Sequence, residues 1–202
     1  MRRILSFVLI GIILFAAGKW ITGNLIPAWK VNQLKNAALP GWVNIQLIDV
    51  DGNSRRGEQL DAIKDIVVHY VGNPGTTAQQ NRDFYSNADS EVSSHFVIGL
   101  EGEVILCVPL NEKSSASNWR NSDTISIEVC HPDRTGKFTE ASYNSLIRLT
   151  AWLCDLCELN EKHIIRHYDI TGKECPLYFV ENEEEWIQFK AEVLKYRESG
   201  SY

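Results

Sequence analysis

Three side chains in this sequence are of types that bind zinc. His69 lies near the end of a short β-branched run, residues 65–71, while His167 and Cys175 flank a loop that contains Gly172. Imidazole and thiolate are good zinc ligands, and three protein ligands leave the fourth tetrahedral position to a reactive water, as in hydrolytic zinc sites. Each residue also has a structural interpretation, because His69 could be a hydrogen-bonded strand histidine and Cys175 a small core residue. The spacing alone leaves both interpretations open.

A β-sheet is the element that would hold these side chains. Apolar and β-branched runs bounded by turn residues predict strands, and two such runs separated by Glu101-Gly102 predict a hairpin. In residues 124–130, the side chains of Ser126 and Glu128 share one face of the strand. The predicted strands are residues 65–71, 94–100, 103–109, 124–130 and 164–167.

Helices are predicted between and after these strands. Thr76 and Thr77 are candidate N-caps for a helix through Tyr85, and Thr139 precedes a long segment with the apolar period of an amphipathic helix. Asn182, followed by three glutamates, begins the last helix. Strands interleaved with helices predict a mixed α/β (α+β) domain, with a central mixed β-sheet flanked by helices.

The N-terminus has the pattern of a membrane-targeting segment. Arg2 and Arg3 precede an uncharged apolar run, residues 4–17. We therefore expect residues 1–19 to be a transmembrane anchor or a cleaved signal peptide. The two arginines would hold the N-terminus inside, so that the remainder is extracytoplasmic at the cell membrane, or secreted after cleavage. The expected division is a linker or stalk over residues 20–45, the folded domain over 46–197 and a C-terminal tail over 198–202.

Charge and cysteine content exclude two classes of protein. The formal net charge is −6, and because Arg2, Arg3 and Lys19 lie in the N-terminal segment, the remaining chain carries −9. Such a surface repels phosphate, so nucleic acid is not an expected partner. Five cysteines, an odd number at irregular spacings, do not indicate a disulfide framework. Cys154 and Cys157 lie on the apolar face of a predicted helix, where we expect them to pack.

Four ordered blocks stand out along the folded part of the chain: IVVHY at 66–70, SHFVI at 94–98 followed by Gly102, ISIE at 125–128, and RHYD at 166–169 leading to GKECP at 172–176. These blocks resemble those of the zinc-dependent N-acetylmuramoyl-L-alanine amidases of bacteria and phages, whose fold is shared with animal peptidoglycan recognition proteins. The resemblance covers residues 65–195 at the family's separations. It implies the family's fold, a Zn²⁺ cofactor, and hydrolysis of the amide bond between N-acetylmuramic acid and L-alanine in peptidoglycan.

The resemblance also implies a role for individual residues. His69, His167 and Cys175 occupy the positions at which the family binds zinc. Glu128 stands at the position of the general base, and Lys173 at that of a lysine that stabilises the oxyanion. The other histidines are expected to be structural, because His95 alternates with apolar neighbours in a hairpin, His131 precedes Pro132 in a turn and His163 lies where a helix gives way to a strand.

The chain departs from the family pattern at three places. Ser126 replaces the usual glycine of the strand that carries the glutamate. Ser94 stands where members with the phage-type site have a tyrosine, so Glu128 must take the base role. Residues 114–120 replace a W-H-A-like segment that lines the cleft in many relatives.

The replaced segment and its flank contain candidate substrate contacts. Asn118, Arg120 and Asn121 could donate hydrogen bonds to stem-peptide carboxylates, and ordinary loop polarity is the alternative. The partners we expect are peptidoglycan as substrate and a membrane through the N-terminal segment, with the chain a monomer. The alternative function is that of a non-catalytic peptidoglycan-recognition module, against which the presence of Cys175 argues, because such relatives typically lack that ligand.

Overall fold

The strands that carry the candidate ligands lie inside a mixed six-stranded sheet. The structure is a computed structural model that describes residues 26–50, 53–87 and 89–200. The strand order is β2-β6-β5-β7-β4-β8, with β5 and β6 antiparallel and every other neighbouring pair parallel. The strands are β2 Val43–Ile45, β4 Asp65–Tyr70, β5 Phe96–Ile98, β6 Val104–Leu106, β7 Thr124–Val129 and β8 Ile164–Arg166, and a separate antiparallel pair is formed by β1 Ile26–Pro27 and β3 Ala62–Ile63.

Helices cover both faces of the sheet. The large core lies between the sheet and helices α3 and α6, and a smaller core lies beneath α2 on β5 and β6. The mixed α/β domain with a central mixed sheet is therefore confirmed. The helices are α1 Ala28–Val31, α2 Ala78–Tyr85, α3 Glu140–Leu156, α4 His167–Thr171, α5 Leu177–Glu181 and α6 Glu183–Ser199, with 3-10 turns at Asn32–Asn36, Asn118–Arg120 and Glu161–His163.

Two predicted N-caps begin helices as the sequence indicated. The Thr77 hydroxyl accepts from the Gln80 amide, and the Gln80 side chain accepts in return from the Thr77 amide, which forms a capping box. Thr139 caps α3 by accepting from the Ser142 amide at 3.0 Å. Both caps satisfy amides that a helix start leaves without an intrahelical partner.

The structure places residues 26–45 differently from the expected linker. Ile26, Val31, Leu34 and Val43 are buried in the large core, and β2 pairs with β6 at the edge of the sheet. These apolar residues belong to elements of two to five residues, which are too short to show a helical or strand period in the sequence. The packed domain therefore begins at least 20 residues before the expected boundary at residue 46.

The predicted membrane segment, residues 1–19, lies outside the described residues. Among the helices of residues 26–50, 53–87 and 89–200, none combines the length and hydropathy that crossing a bilayer requires.

Candidate metal centre and cleft

Parallel pairing brings the chemistry-bearing residues to one edge of the sheet. His69 on β4 pairs in register with Glu128 on β7. On the other side of β4, Val68 pairs with Arg166 at the end of β8, so that His167 follows beside His69. Ligand sites of open sheets with parallel strands lie at the carboxyl ends of those strands, and this is where the three residues meet.

Cys175 reaches the same place through the turn that follows α4. Gly172 ends that helix with φ of +77°, a left-handed conformation that suits glycine. The chain then folds back, and the Tyr168 amide donates to the Cys175 carbonyl at 2.9 Å. As a result, the Cys175 sulfur lies 3.9 Å from His69 Nδ1.

His69, His167 and Cys175 form a compact donor cluster. Their ligand atoms lie within 4.8 Å of one another, and all three residues are buried. The two imidazole rings are tilted by 58°, with centroids 4.7 Å apart. Within the described part of the chain, this is the one group of histidines, cysteines and carboxylates close enough to hold a metal ion.

The electrostatics of the cluster suit a soft divalent cation. Burial and the proximity of His167 and Lys173 hold the pKa of His69 well below its ordinary value, and burial with Lys173 lowers the pKa of His167. Both rings are therefore neutral near pH 7, which is the form that binds metal. Burial raises the pKa of the Cys175 thiol to about 12. A thiolate there needs a compensating positive charge, and the set of two imidazoles and one thiolate fits zinc.

Glu128 lies beside the cluster, and only one of its two carboxyl oxygens has a recorded contact with it. Its Oε1 lies 3.9 Å from His69 Nδ1, and the side chain is 18% exposed. The other oxygen, Oε2, is buried without a hydrogen-bond partner among the described residues. Burial raises the pKa of Glu128 to about 8, against the opposing effect of Lys173. A carboxyl group with a pKa near neutrality can both take and return a proton.

The cluster opens into a cleft of about 210 Å³, which continues into an outer cleft of about 510 Å³. Lys173 lines both clefts. Tyr70 and Tyr85 line the inner cleft, and Arg56 lines the outer one. Sequence reasoning assigned none of these three a part in the site. Tyr70 directly follows His69, and this adjacency was a usable signal, whereas Tyr85 and Arg56 reach the clefts only through the tertiary fold.

The three predicted substrate contacts have other partners. Asn118 Oδ1 lies 2.8 Å from His167 Nε2. Asn121 Oδ1 accepts from the amides of Ala116 and Ser117 at 3.1 and 2.6 Å. Asn118 and Asn121 also line the outer cleft.

Arg120 departs further from the predicted substrate contact than Asn118 and Asn121 do. It pairs with Asp65 and Asp123, at the starts of β4 and β7, and it lines neither cleft. Its guanidinium therefore anchors the loop to the beginning of two strands, away from the donor cluster.

The other histidines and cysteines lie outside the donor cluster. His131 Nδ1 lies 2.6 Å from the Asp133 carbonyl oxygen, and His163 Nδ1 lies 3.1 Å from an Asp65 oxygen. His95 is completely buried, and both of its ring nitrogens have partners. The remaining cysteines are free and buried: Cys107, Cys130, Cys154 and Cys157.

Sequence comparison identifies the protein family of the region that contains the donor cluster. Residues 59–177 match the N-acetylmuramoyl-L-alanine amidase family, Amidase_2. The chain belongs to this amidase family. The matched region contains β4, β7, β8 and all three members of the donor cluster, so the amidase-family part of the chain includes the whole donor cluster together with Glu128 and Lys173.

Individual amidase relatives agree with the family assignment. N-acetylmuramoyl-L-alanine amidase BlyA of Bacillus subtilis (strain 168) is 32% identical over 167 residues, which cover 72% of this chain and 45% of BlyA. The amidase CwlL of Bacillus licheniformis is 26% identical, with the same coverage. The chain thus spans less than half the length of these curated relatives. A mutant endolysin from Bacillus subtilis superposes with a TM-score of 0.66 at 25% identity, covering 75% of this chain and 97% of the endolysin.

Proposed function

We propose that this chain hydrolyses the amide bond between N-acetylmuramic acid and L-alanine in peptidoglycan, with zinc as its cofactor. The observation that carries the proposal is the buried Oε2 of Glu128, which has no hydrogen-bond partner in the described part of the chain and lies beside a cluster of two histidines and a cysteine. The identity of the bond is supported by the relatives BlyA and CwlL, both of which are named N-acetylmuramoyl-L-alanine amidases.

His69, His167 and Cys175 would hold the zinc ion. When bound, zinc polarises a carbonyl oxygen, lowers the pKa of a coordinated water towards about 7 and lowers the pKa of a neighbouring carboxyl group. The two histidines enter this site neutral, and Cys175 gives up its thiol proton on binding.

Glu128 supplies proton transfer. Its carboxylate accepts a proton from the attacking water, whose oxygen bonds to the lactyl carbonyl carbon of the muramoyl group. The same carboxyl then gives that proton to the alanine nitrogen as the C–N bond breaks, leaving a carboxylic acid and a free amine. Glu128 lines the inner cleft, and no donor among the described residues occupies its Oε2, so the carboxyl group is not committed to another hydrogen bond there.

Lys173 supplies positive charge at the mouth of the inner cleft. It is exposed, and it lies close enough to lower the pKa values of His69, His167 and Glu128. An ammonium group in this position stabilises negative charge that develops on the carbonyl oxygen during attack.

The test is hydrolysis by the full chain, purified in detergent, with and without zinc. The protein should be intact, because residues 26–45 contribute to the core and a shorter fragment would lose them. Peptidoglycan fragments are digested and analysed by mass spectrometry for stem peptides with a newly free alanine amine. Zinc-dependent release supports the proposal, and binding of the fragments without release would make the chain a recognition module.

We also propose that residues 1–19 place the catalytic domain at the outer face of a bacterial membrane. The support is the sequence pattern of Arg2 and Arg3 followed by the apolar residues 4–17. Fractionation of cells, combined with protease treatment of spheroplasts, tests this. Recovery of the chain in the cytosol, protected from protease, would contradict it.

A further inference from the structure

The turn that follows Ser114 contacts both ligand histidines, although it lies about 50 residues from each in sequence. Ser117 Oγ is 3.3 Å from His69 Nε2, and Asn118 Oδ1 is 2.8 Å from His167 Nε2. These are the ring nitrogens that a metal ligated through Nδ1 leaves free. For His69, Nδ1 is the nitrogen that faces Cys175 and Glu128, each at 3.9 Å.

The turn is held rigidly by its own contacts. Asn121 Oδ1 accepts from the Ser117 amide at 2.6 Å, and the Arg120 amide donates to the Ser117 carbonyl at 3.0 Å. Asn118 has φ of +54°, a left-handed conformation that asparagine tolerates better than most residues. The Arg120 guanidinium ties the turn to Asp65 and Asp123. Ser117 and Asn118 are therefore fixed relative to β4 and β7.

An amide oxygen imposes a direction on the hydrogen bond. Because Asn118 Oδ1 can only accept, His167 must carry its proton on Nε2, which leaves the Nδ1 lone pair free. The Ser117 hydroxyl can accept in the same way from His69 Nε2–H. Hydrogen bonds of this kind fix the tautomer and the orientation of metal-ligating histidines, and losing one typically lowers metal affinity about 10- to 100-fold.

We propose that Ser117 and Asn118 are positioning residues that present Nδ1 of His69 and of His167 to the metal. This inference rests on the zinc site of the proposed function. It gives the segment that replaces the W-H-A-like sequence a role in organising the metal centre through the Nε2 atoms of the two ligand histidines. Asn118 constrains the histidine tautomer more strongly than Ser117 does. Its Oδ1 lies at the shorter distance and can only accept, whereas the Ser117 hydroxyl can donate or accept.

Zinc affinity of the full chain provides the first measurement, by competition with a fluorescent chelator. Asn118→Gly keeps the left-handed backbone and removes the acceptor, and Ser117→Ala removes the hydroxyl. We expect each to weaken zinc binding about 10- to 100-fold. Asn118→Asp and Ser117→Thr keep an acceptor and should stay within about threefold of the wild type. Asn160→Gly is the control for replacing an asparagine at a 3-10 turn, because the Asn160 side chain caps the turn Glu161–His163 by accepting from the Lys162 amide and does not contact a ligand histidine.

The tautomer of His167 provides a second measurement that general loss of stability would not change. In metal-free protein labelled with ¹⁵N at histidine, long-range proton–nitrogen spectra should show the proton on Nε2 in the wild type. In Asn118→Gly they should show a mixture of tautomers. The inference is overturned if both Asn118→Gly and Ser117→Ala leave zinc affinity unchanged, or if His167 of the wild type carries its proton on Nδ1. Absence of zinc binding by the wild type would overturn the proposed function instead.

Discussion

Strand β7 contributes to two buried polar clusters that differ in how completely their atoms are satisfied. Ser126 lies beside His95, whose Nδ1 accepts from the Ser126 amide at 3.1 Å and whose Nε2 donates to the Glu112 carbonyl at 2.9 Å. Two residues later, Glu128 lies beside His69. There, the nearest approaches of His69 Nδ1 to Glu128 and Cys175 are both 3.9 Å.

The difference separates a structural histidine from a candidate ligand. Both rings are buried, and burial lowers the pKa of both. Buried polar groups are normally paired, so a cluster in which the nearest recorded partners of His69 Nδ1 lie at 3.9 Å, and in which Glu128 Oε2 has no hydrogen-bond partner among the described residues, can accept a further group. The satisfied cluster around His95 and Ser126 should determine stability, and the cluster around His69 and Glu128 should determine activity.

The largest expected effect is that of Glu128→Gln. The substitution keeps the size of the side chain and removes its ability to carry the proton. We expect turnover of peptidoglycan fragments to fall by about 10² to 10⁴, the usual contribution of general acid–base catalysis. Zinc affinity should be unchanged, as measured by chelator competition. Turnover near the wild-type rate with zinc bound would remove Glu128 from the proton path.

The second effect is that of Lys173→Met, which keeps an unbranched chain and removes its charge. We expect kcat to fall about 10² to 10³, as when one oxyanion donor is lost from other enzymes. Because Lys173 also lowers the pKa of Glu128, the alkaline shift of the pH–rate profile is a second readout. Lys137→Met is a suitable control, since Lys137 lies over the Tyr178 ring and lines neither cleft. A loss confined to KM would assign Lys173 to ground-state binding alone.

The third effect concerns stability in acid and comes from the satisfied cluster. Burial lowers the pKa of His95 from an ordinary value near 6.5 to about 4. Below pH 6.5 the unfolded chain takes up a proton that the folded chain refuses, so stability is lost as the pH falls from about 6.5 to 4. The loss is on the order of 3 kcal/mol. His95→Gln should remove this part of the pH dependence.

Urea unfolding of metal-free wild type and His95→Gln at several pH values between 4 and 7.5 measures this contribution. His69 and His167 are present in both proteins, so the difference between the two curves isolates His95. If the free energy of unfolding changes equally with pH in the two proteins, His95 is not held neutral by the fold.

Much of the donor cluster was predictable because its members belong to short local patterns. The apolar runs of β4 and β7 indicate strands, which place His69 and Glu128 near the strand ends, while the resemblance to the amidase family implied their roles as ligand and base. The two helix caps, Thr77 and Thr139, are likewise local features.

The surroundings of the cluster depend on distant contacts and could not be predicted in this way. Arg120 pairs with Asp65 at a separation of 55 residues, and Asn118 meets His167 at a separation of 49. A polar loop residue has the same sequence appearance whether it faces substrate, a ligand histidine or a strand end. The first part of the loop predicted between His167 and Cys175 is helical instead, over His167–Thr171.

The smallest expected effect is that of Ser126→Ala. Its hydroxyl lies 2.8 Å from Ser114 Oγ and accepts from Ser94 Oγ and from the His95 amide, both at 3.1 Å. Removing it leaves a buried amide without this partner, so we expect the free energy of unfolding to fall by about 1–2 kcal/mol. Urea unfolding of the metal-free protein measures the change, and Ser94→Ala, which removes only the hydrogen bond that Ser94 Oγ donates to Ser126 Oγ, should cost less.

Turnover and zinc affinity decide whether the two clusters are independent. Ser126 and Glu128 lie on the same face of β7, so a shift of the strand at one position could move the other. If the satisfied cluster serves stability alone, Ser126→Ala keeps wild-type kcat and zinc affinity wherever it is folded. Glu128 is the residue of β7 that lines the inner cleft. A fall in kcat at unchanged zinc affinity would therefore mean that the serine network helps to position the Glu128 carboxylate.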